Sequence, residues 1–143
     1  MEIKMCEITA DEVIYALEKE KILTLATCAM NRVTIRPMIH VNNGLLVYFQ
    51  TAADSLKMRQ IRENPNVALC VGTYEIEGIA SELGHPLADQ NSFFVRLYKD
   101  KHIESYERYS AYAEETVIKV IIHKVRQWRY VDGEPALGEM EVK

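Results

Sequence analysis

The sequence is poor in the residues that build metal centres and disulfide frameworks. Its three cysteines, Cys6, Cys28 and Cys70, are an odd number with no C-x-x-C pair, which argues against both a disulfide set and a zinc site. Cys28 and Cys70 lie within apolar stretches and are expected as small core residues. The four histidines, His40, His85, His102 and His123, are far apart and lack paired ligand spacing. There is no G-x-G-x-x-G, G-x-x-x-x-G-K, G-x-S-x-G or H-E-x-x-H, so neither a nucleotide fingerprint nor a preformed hydrolytic or zinc constellation is visible. No apolar run approaches the ~20 residues of a membrane span. Met1 to Glu7 has neither the basic nor the apolar part of a signal peptide, so a soluble, cytoplasmic protein is expected. Seventeen lysines and arginines stand against 21 aspartates and glutamates, for a net charge of −4. That balance speaks against general nucleic-acid binding.

What is present is enough for an ordinary core: 143 residues, 48% of them hydrophobic. The length fits one domain, residues 1–143. Thr9-Ala10-Asp11-Glu12 reads as a capping box, and Val13, Ile14, Ala16 and Leu17 at helical spacing carry a first helix to about Lys19. Ile22–Cys28 reads as a buried strand. Residues 33–41 alternate as a second strand, Asn42-Asn43-Gly44 as a hairpin turn, and 45–50 as the returning strand. A loop over 51–55 feeds a short helix that Asn64-Pro65 stops. Strands follow at 67–71 and 76–81, helical sequence at 89–109, and a long β-branched stretch at 116–131. From about Glu134 a loose polar tail is expected. Short turns between some six strands predict a mainly β, antiparallel barrel-like α+β domain with short flanking helices.

Two local features bear on function. Pro37 cannot donate to a sheet ladder, so its strand is an edge or carries a bulge. Arg36, Met38 and His40 alternate along that strand and are expected on one face. The second feature is the loop into the next helix, with Thr51, Ser55, Lys57 and Arg59. Free amides and the positive end of a helix dipole suit an anion such as a phosphate. Asp54 competes, because a carboxylate cap would satisfy the same amides. Phe93, Phe94 and Tyr98 at helical spacing read as packing, and Glu75 and Glu77 as a solvated strand face.

In this order and spacing the sequence resembles the pyridoxamine 5′-phosphate oxidase-like flavin-binding family. The resemblance rests on Val33-Thr34-Ile35-Arg36-Pro37-Met38, Gly44 with Val47-Tyr48-Phe49-Gln50-Thr51, and Ser55-Leu56-Lys57. It continues through Gln60-Ile61, Asn64-Pro65-Asn66-Val67-Ala68-Leu69, Gly78-Ile79-Ala80 and Val125-Arg126-Gln127-Trp128. The shorter general-stress-protein-like and nitroimidazole-resistance-like members look closer than the oxidase itself.

The resemblance implies a split β-barrel with Greek-key connections, a homodimer, and FMN in a cleft between subunits. It places Arg36 and Lys57 on the FMN phosphate with Thr51 and Ser55 assisting, Pro37, Met38 and Gln50 beside the ring system, and Trp128 near the flavin. It implies a flavin-dependent oxidoreductase acting on a small molecule, with an electron donor such as NAD(P)H. The alternatives are a flavin-binding redox or stress module without turnover, or a split barrel using haem or a deazaflavin, with His40 and His123 as available haem ligands. Leu56 stands where the oxidase often has an arginine. The chain also lacks the late Arg-x-His segment of the oxidase, which speaks against pyridoxine phosphate as substrate.

Overall fold

The computed structural model describes residues 2–143. Thr9 opens helix α1 (Ala10–Lys19) with the predicted reciprocal cap. Its hydroxyl accepts from the Glu12 amide at 3.2 Å, and Glu12 Oε2 accepts from the Thr9 amide at 2.9 Å. Val13 and Leu17, one turn apart, carry the buried face. The chain then enters β2 (Ile22–Ala29), reverses at Met30-Asn31, both with left-handed φ (51° and 64°), and returns as β3 (Arg32–Ile39). Two consecutive left-handed residues match the twist of a tight hairpin.

β4 (Val41–Asn43) and β5 (Leu46–Ala52) form the next hairpin. Its turn is Gly44-Leu45, slightly later than predicted, because Asn43 still pairs with Leu46 and only Gly44 takes positive φ. Helix α2 (Leu56–Glu63) follows, then β6 (Asn66–Val71) and β7 (Tyr74–Gly84). The helical region divides into a 3-10 turn at Asp89–Asn91, α3 (Ser92–Lys101) and α4 (Ile103–Tyr109), broken at His102. The long strand β8 (Glu115–Val131) closes the barrel. Its first half pairs with β5, its second half with the last strand, and β7 runs along its other side.

Two expectations need correction. The segment after Glu134 is not a loose tail but strand β9 (Glu134–Glu141). Asp132 and Gly133, both at positive φ, reverse the chain, and β9 pairs antiparallel with β8 and parallel with the N-terminal strand β1 (Lys4–Glu7). The sheet is therefore mixed and has nine strands rather than about six, in the order β1-β9-β8-β7-β6-β2-β3, with β5 on β8 and β4 on β5. Cys70 is exposed and Cys28 half-buried, because the two-residue period of their strands turns both to the outer face, away from Leu25 and Leu69.

The barrel core gathers Leu23, Leu25, Phe49, Leu69, Ile76 and Val120. A second cluster, Val41, Tyr48, Phe94, Tyr98 and Val117, packs α3 onto the outside of β4 and β5. β5 is thus buried on both faces. Phe94 and Tyr98 are packing residues, as expected. Gly78 permits a close crossing at the irregularity in β7: an added Cβ would stand 2.8 Å from the Ile121 carbonyl oxygen.

Candidate functional site

β3 ends the sheet path and pairs only with β2, so Pro37 occupies an edge, opposite Thr24. Alternation then splits the strand. Val33 and Ile35 lie 70% and 69% exposed on the outer face, while Thr34, Arg36 and Met38 turn inward. Arg36 donates from one terminal nitrogen to Thr27 Oγ1 at 2.8 Å and Leu25 O at 3.3 Å, and from the other to Thr34 Oγ1. Behind it, Gln60 of α2 accepts from Thr27 and Thr34, each at 2.6 Å, and donates to Arg32 O at 3.1 Å. This buried amide ties α2 to the β2–β3 hairpin and sets Arg36 against the start of the helix.

His40 does not join that face. It follows the end of β3, is fully buried, and its Nε2 donates to the Leu17 carbonyl at 2.9 Å. Burial holds its pKa down at about 4, and its Nδ1 is buried without a hydrogen-bond partner. His123 is exposed on β8.

Ser55, not Asp54, caps α2: its Oγ accepts from the Met58 amide at 3.4 Å, and Asp54 is exposed. The first turn of α2 contains no acidic residue, so the Leu56 and Lys57 amides keep their unpaired N-terminal character. The loop before the helix is fixed from two sides. Ala53 donates to Glu114 O at 2.6 Å, and Arg62 donates to Ala53 O at 2.8 Å while pairing with Glu82. Lys57 is half-buried. Burial, then the neighbouring Arg36 charge, pull its ammonium below the ordinary lysine value, and Glu115 opposes them. Burial likewise lowers Arg36. Among the described residues neither cation forms an ion pair. Two neighbouring cations, neither within ion-pair distance of a carboxylate, at a helix whose first turn holds no acidic residue, fit a phosphate dianion.

Thr51 and Gln50 are buried in β5, paired with Thr116 and Val117 of β8. Gln50 Oε1 accepts from Ser110 Oγ at 2.8 Å, so its amide is positioned. Glu115, the first residue of β8, pairs with Ala52 and joins this cluster, although nothing in its local sequence marks it.

The pyridoxamine 5′-phosphate oxidase family model matches residues 9–129. The chain belongs to that family. Solved structures share the fold of this family member at low identity. The General Stress Protein 26 of Bacillus anthracis is 18% identical with a TM-score of 0.70, over 93% of this chain and 98% of that one. A haem-binding protein of Mycobacterium smegmatis is 14% identical with a TM-score of 0.72, over 95% of this chain and 59% of the other. A FAD-binding protein of Mesorhizobium loti is 18% identical with a TM-score of 0.64, over 82% and 92%. No curated protein matches the sequence.

Within this family member the predicted site residues do not all converge. Ser55 caps α2, Lys57 lies in its first turn under the influence of the Arg36 charge, and Thr51 lies near the end of the strand that leads into the loop. Pro37 and Met38 continue along the edge strand from Arg36. Trp128, 42% exposed, stands twelve positions beyond Thr116 on β8 and pairs with Leu137 of β9. That is about 40 Å of strand path at ~3.3 Å per residue, which sets Trp128 at the other end of β8 from the loop into α2. Gln60 and Thr34 enter the sequence reading only as part of the family resemblance and Thr27 not at all, none of them as a site residue. A glutamine one turn after the lysine, on the helix side that carries Met58 and Ile61, was the available signal. No group of three or more His, Cys, Asp or Glu side chains is arranged for a metal among the described residues, and no helix there is long and apolar enough to cross a membrane.

Proposed function

We propose that this chain binds FMN by its phosphate and serves as a flavin-dependent oxidoreductase for a small molecule. The observation that carries the reading is the neighbouring pair Arg36 and Lys57 at the start of α2, neither of them in an ion pair. Lys57, the Leu56 and Lys57 amides and the helix dipole supply the anion seat. Thr27 and Thr34 hold the Arg36 guanidinium toward it. Ser55 fixes the helix start, Thr51 assists at the phosphate, and the backbone at Gln50 borders the ring system from a strand that packing makes rigid. The edge of β3 at Pro37 and Met38 leaves unpaired backbone groups for a flat ring system. When bound, the flavin would carry hydride or electrons, while the protein supplies anchoring, orientation and exclusion of water. This division of labour accounts for a site without an acid–base pair or nucleophile.

The reading includes a homodimer. Val33 and Ile35 of β3, with Ile22 of β2, leave apolar surface on an edge, which a second copy would cover. The distance along β8 supports a Trp128 that reaches the flavin from that second copy. The likeness to FAD- and haem-binding proteins supports a cofactor site in general. FMN rather than FAD is supported by a single anion seat and the lack of a dinucleotide fingerprint. Purified protein, heat-released cofactor and chromatography test this: FMN supports the reading, and FAD, haem or no affinity for any flavin overturns it. Light scattering that finds a monomer still holding FMN would remove the shared cleft.

A further inference from the structure

The anion seat does not use Glu115, yet this carboxyl is built into its wall. Glu115 pairs with Ala52, and the neighbouring Ala53 amide bonds the Glu114 carbonyl at 2.6 Å. The carboxyl therefore lies at the end of the β5–β8 ladder that carries Thr51 and the loop into α2. Its Oε2 is buried and has no hydrogen-bond partner. The charged or titratable groups that face it are Lys57 from α2, His85 from the segment after β7, Tyr98 from α3, and Glu114 from its own segment. His85 is committed on both ring nitrogens: Nδ1 accepts from the Leu87 amide at 3.1 Å and Nε2 donates to Tyr112 O at 2.8 Å. Lys57, although not within ion-pair distance, is thus the permanent positive charge that favours ionised Glu115.

We propose that Glu115 makes phosphate binding at this site proton-linked: the dianion takes over Lys57 as its counter-cation, and the displaced carboxylate takes up one proton from solvent. This rests on reading the site as a flavin-phosphate seat. The buried Oε2 cannot be hydrated, and an ionised carboxylate that has lost its cation beside a dianion is unfavourable twice over. A protonated carboxyl removes the repulsion and gains an O–H donor. Burial already raises this group above the ordinary carboxylate range, against the pull of His85 and Lys57. The sign follows from linkage. A ligand that binds with proton uptake loses affinity as pH rises, by up to about tenfold per pH unit for a whole proton. The phosphate's own second ionisation, near pH 6, acts in the opposite direction, since cations favour the dianion and release its proton.

The test is calorimetric titration of the full chain with FMN and with riboflavin, in phosphate-free buffers of high and low ionisation enthalpy, from pH 7 to 8.5. Wild type should take up a measurable fraction of a proton per FMN and lose affinity several-fold across this range. Glu115→Gln should take up none and show a flat profile, and riboflavin should be flat with both proteins. Zero uptake or proton release by wild type overturns the proposal even if the variant fails to fold. So does equal uptake by wild type and a folded variant. Both leave the flavin reading intact, because FMN still binds. If wild type does not bind FMN, the flavin reading fails. Inorganic phosphate then decides for the proton link: uptake on binding sustains it, and no binding ends it.

Discussion

Two charged clusters stand at opposite ends of β8 and are completed to very different degrees. At the far end, Glu12 of α1 is fully partnered. Its Oε2 takes the Thr9 amide and hydroxyl, and its Oε1 takes the Tyr74 hydroxyl at 2.9 Å and the Arg129 guanidinium. Arg129 in turn donates to Gln127 at 2.8 Å, and Gln127 to Thr73 at 2.7 Å. Burial pushes the Glu12 pKa up, but the hydrogen bonds from Thr9, Arg129 and Tyr74 outweigh it and hold the value at about 2. At the near end, Arg36 and Lys57 face each other without an ion pair and Glu115 keeps an unpartnered oxygen. A satisfied network stabilises a fold, whereas unpaired buried charge costs stability and persists where a ligand completes it. The first cluster belongs to the architecture, and the second to the proposed function.

The largest expected effect breaks the first cluster. Glu12→Ala removes one half of the helix cap and leaves Tyr74 and Arg129 without their acceptor. Charged hydrogen bonds contribute about 1.5–3 kcal/mol, and the pair is partly exposed, so denaturant unfolding should show a loss of about 2–3 kcal/mol. FMN affinity should stay within twofold. Because the folded pKa lies below the unfolded one, this stabilisation is complete above the ordinary carboxylate range. It is lost as pH falls from about 5 toward 2. Wild type should lose more stability than Glu12→Ala over that interval, and parallel pH profiles would refute the assignment.

Lys57→Ala breaks the second cluster and should reverse the pattern. Loss of one charged contact to phosphate weakens FMN about tenfold to a hundredfold at 1.4 kcal/mol per decade. Riboflavin, which lacks the phosphate, should bind as before. Arg36→Ala should behave alike for FMN, with a greater loss of folding stability because Thr27, Thr34 and the Leu25 carbonyl lose a charged donor. Equal losses for FMN and riboflavin would mean a collapsed cleft rather than a missing phosphate contact. Gln60→Ala joins the two effects. It leaves two hydroxyls and the Arg32 carbonyl unmatched, costing about 1–3 kcal/mol of stability, and weakens FMN by loosening Arg36. Urea unfolding and FMN titration of the same variant should both report it.

The contrast between the clusters was only half legible in the sequence. Thr9 with Glu12 is a local signal, and so are Pro37 at an edge and the Thr51–Lys57 helix start. All three appear where local chemistry puts them. Arg129 on Glu12 spans 117 positions, and Gln60 on Thr27 spans 33, so no window of sequence contains either pair. β9 was hidden for a related reason. Its Ala136 and Gly138 look like loop residues, yet Gly138 is where Ile8 packs, with Ile8 Cγ1 2.8 Å from the place of an added Cβ. Small residues there meet a partner strand from the other end of the chain. His40 misled because its alternation with Arg36 and Met38 stops at Ile39, where β3 ends and the chain turns toward α1.

The smallest expected effects separate Ser55 from Asp54 at the start of α2. Either residue type can cap a helix, and a capping Asp54 would fill the seat with its own carboxylate and oppose an anion. Ser55 makes the bond to the Met58 amide, and Asp54 is exposed. Ser55→Ala should therefore cost about 1 kcal/mol of stability and weaken FMN several-fold, because the amides that face the phosphate lose their fixed geometry. Asp54→Ala should change stability by no more than about 0.5 kcal/mol, as at other exposed positions. Its FMN affinity should hold or rise about twofold at low salt, from the loss of one screened negative charge. Thermal melts and FMN titrations at two ionic strengths read both variants. A larger stability loss from Asp54→Ala than from Ser55→Ala would place the carboxylate on the helix amides and close the seat to phosphate.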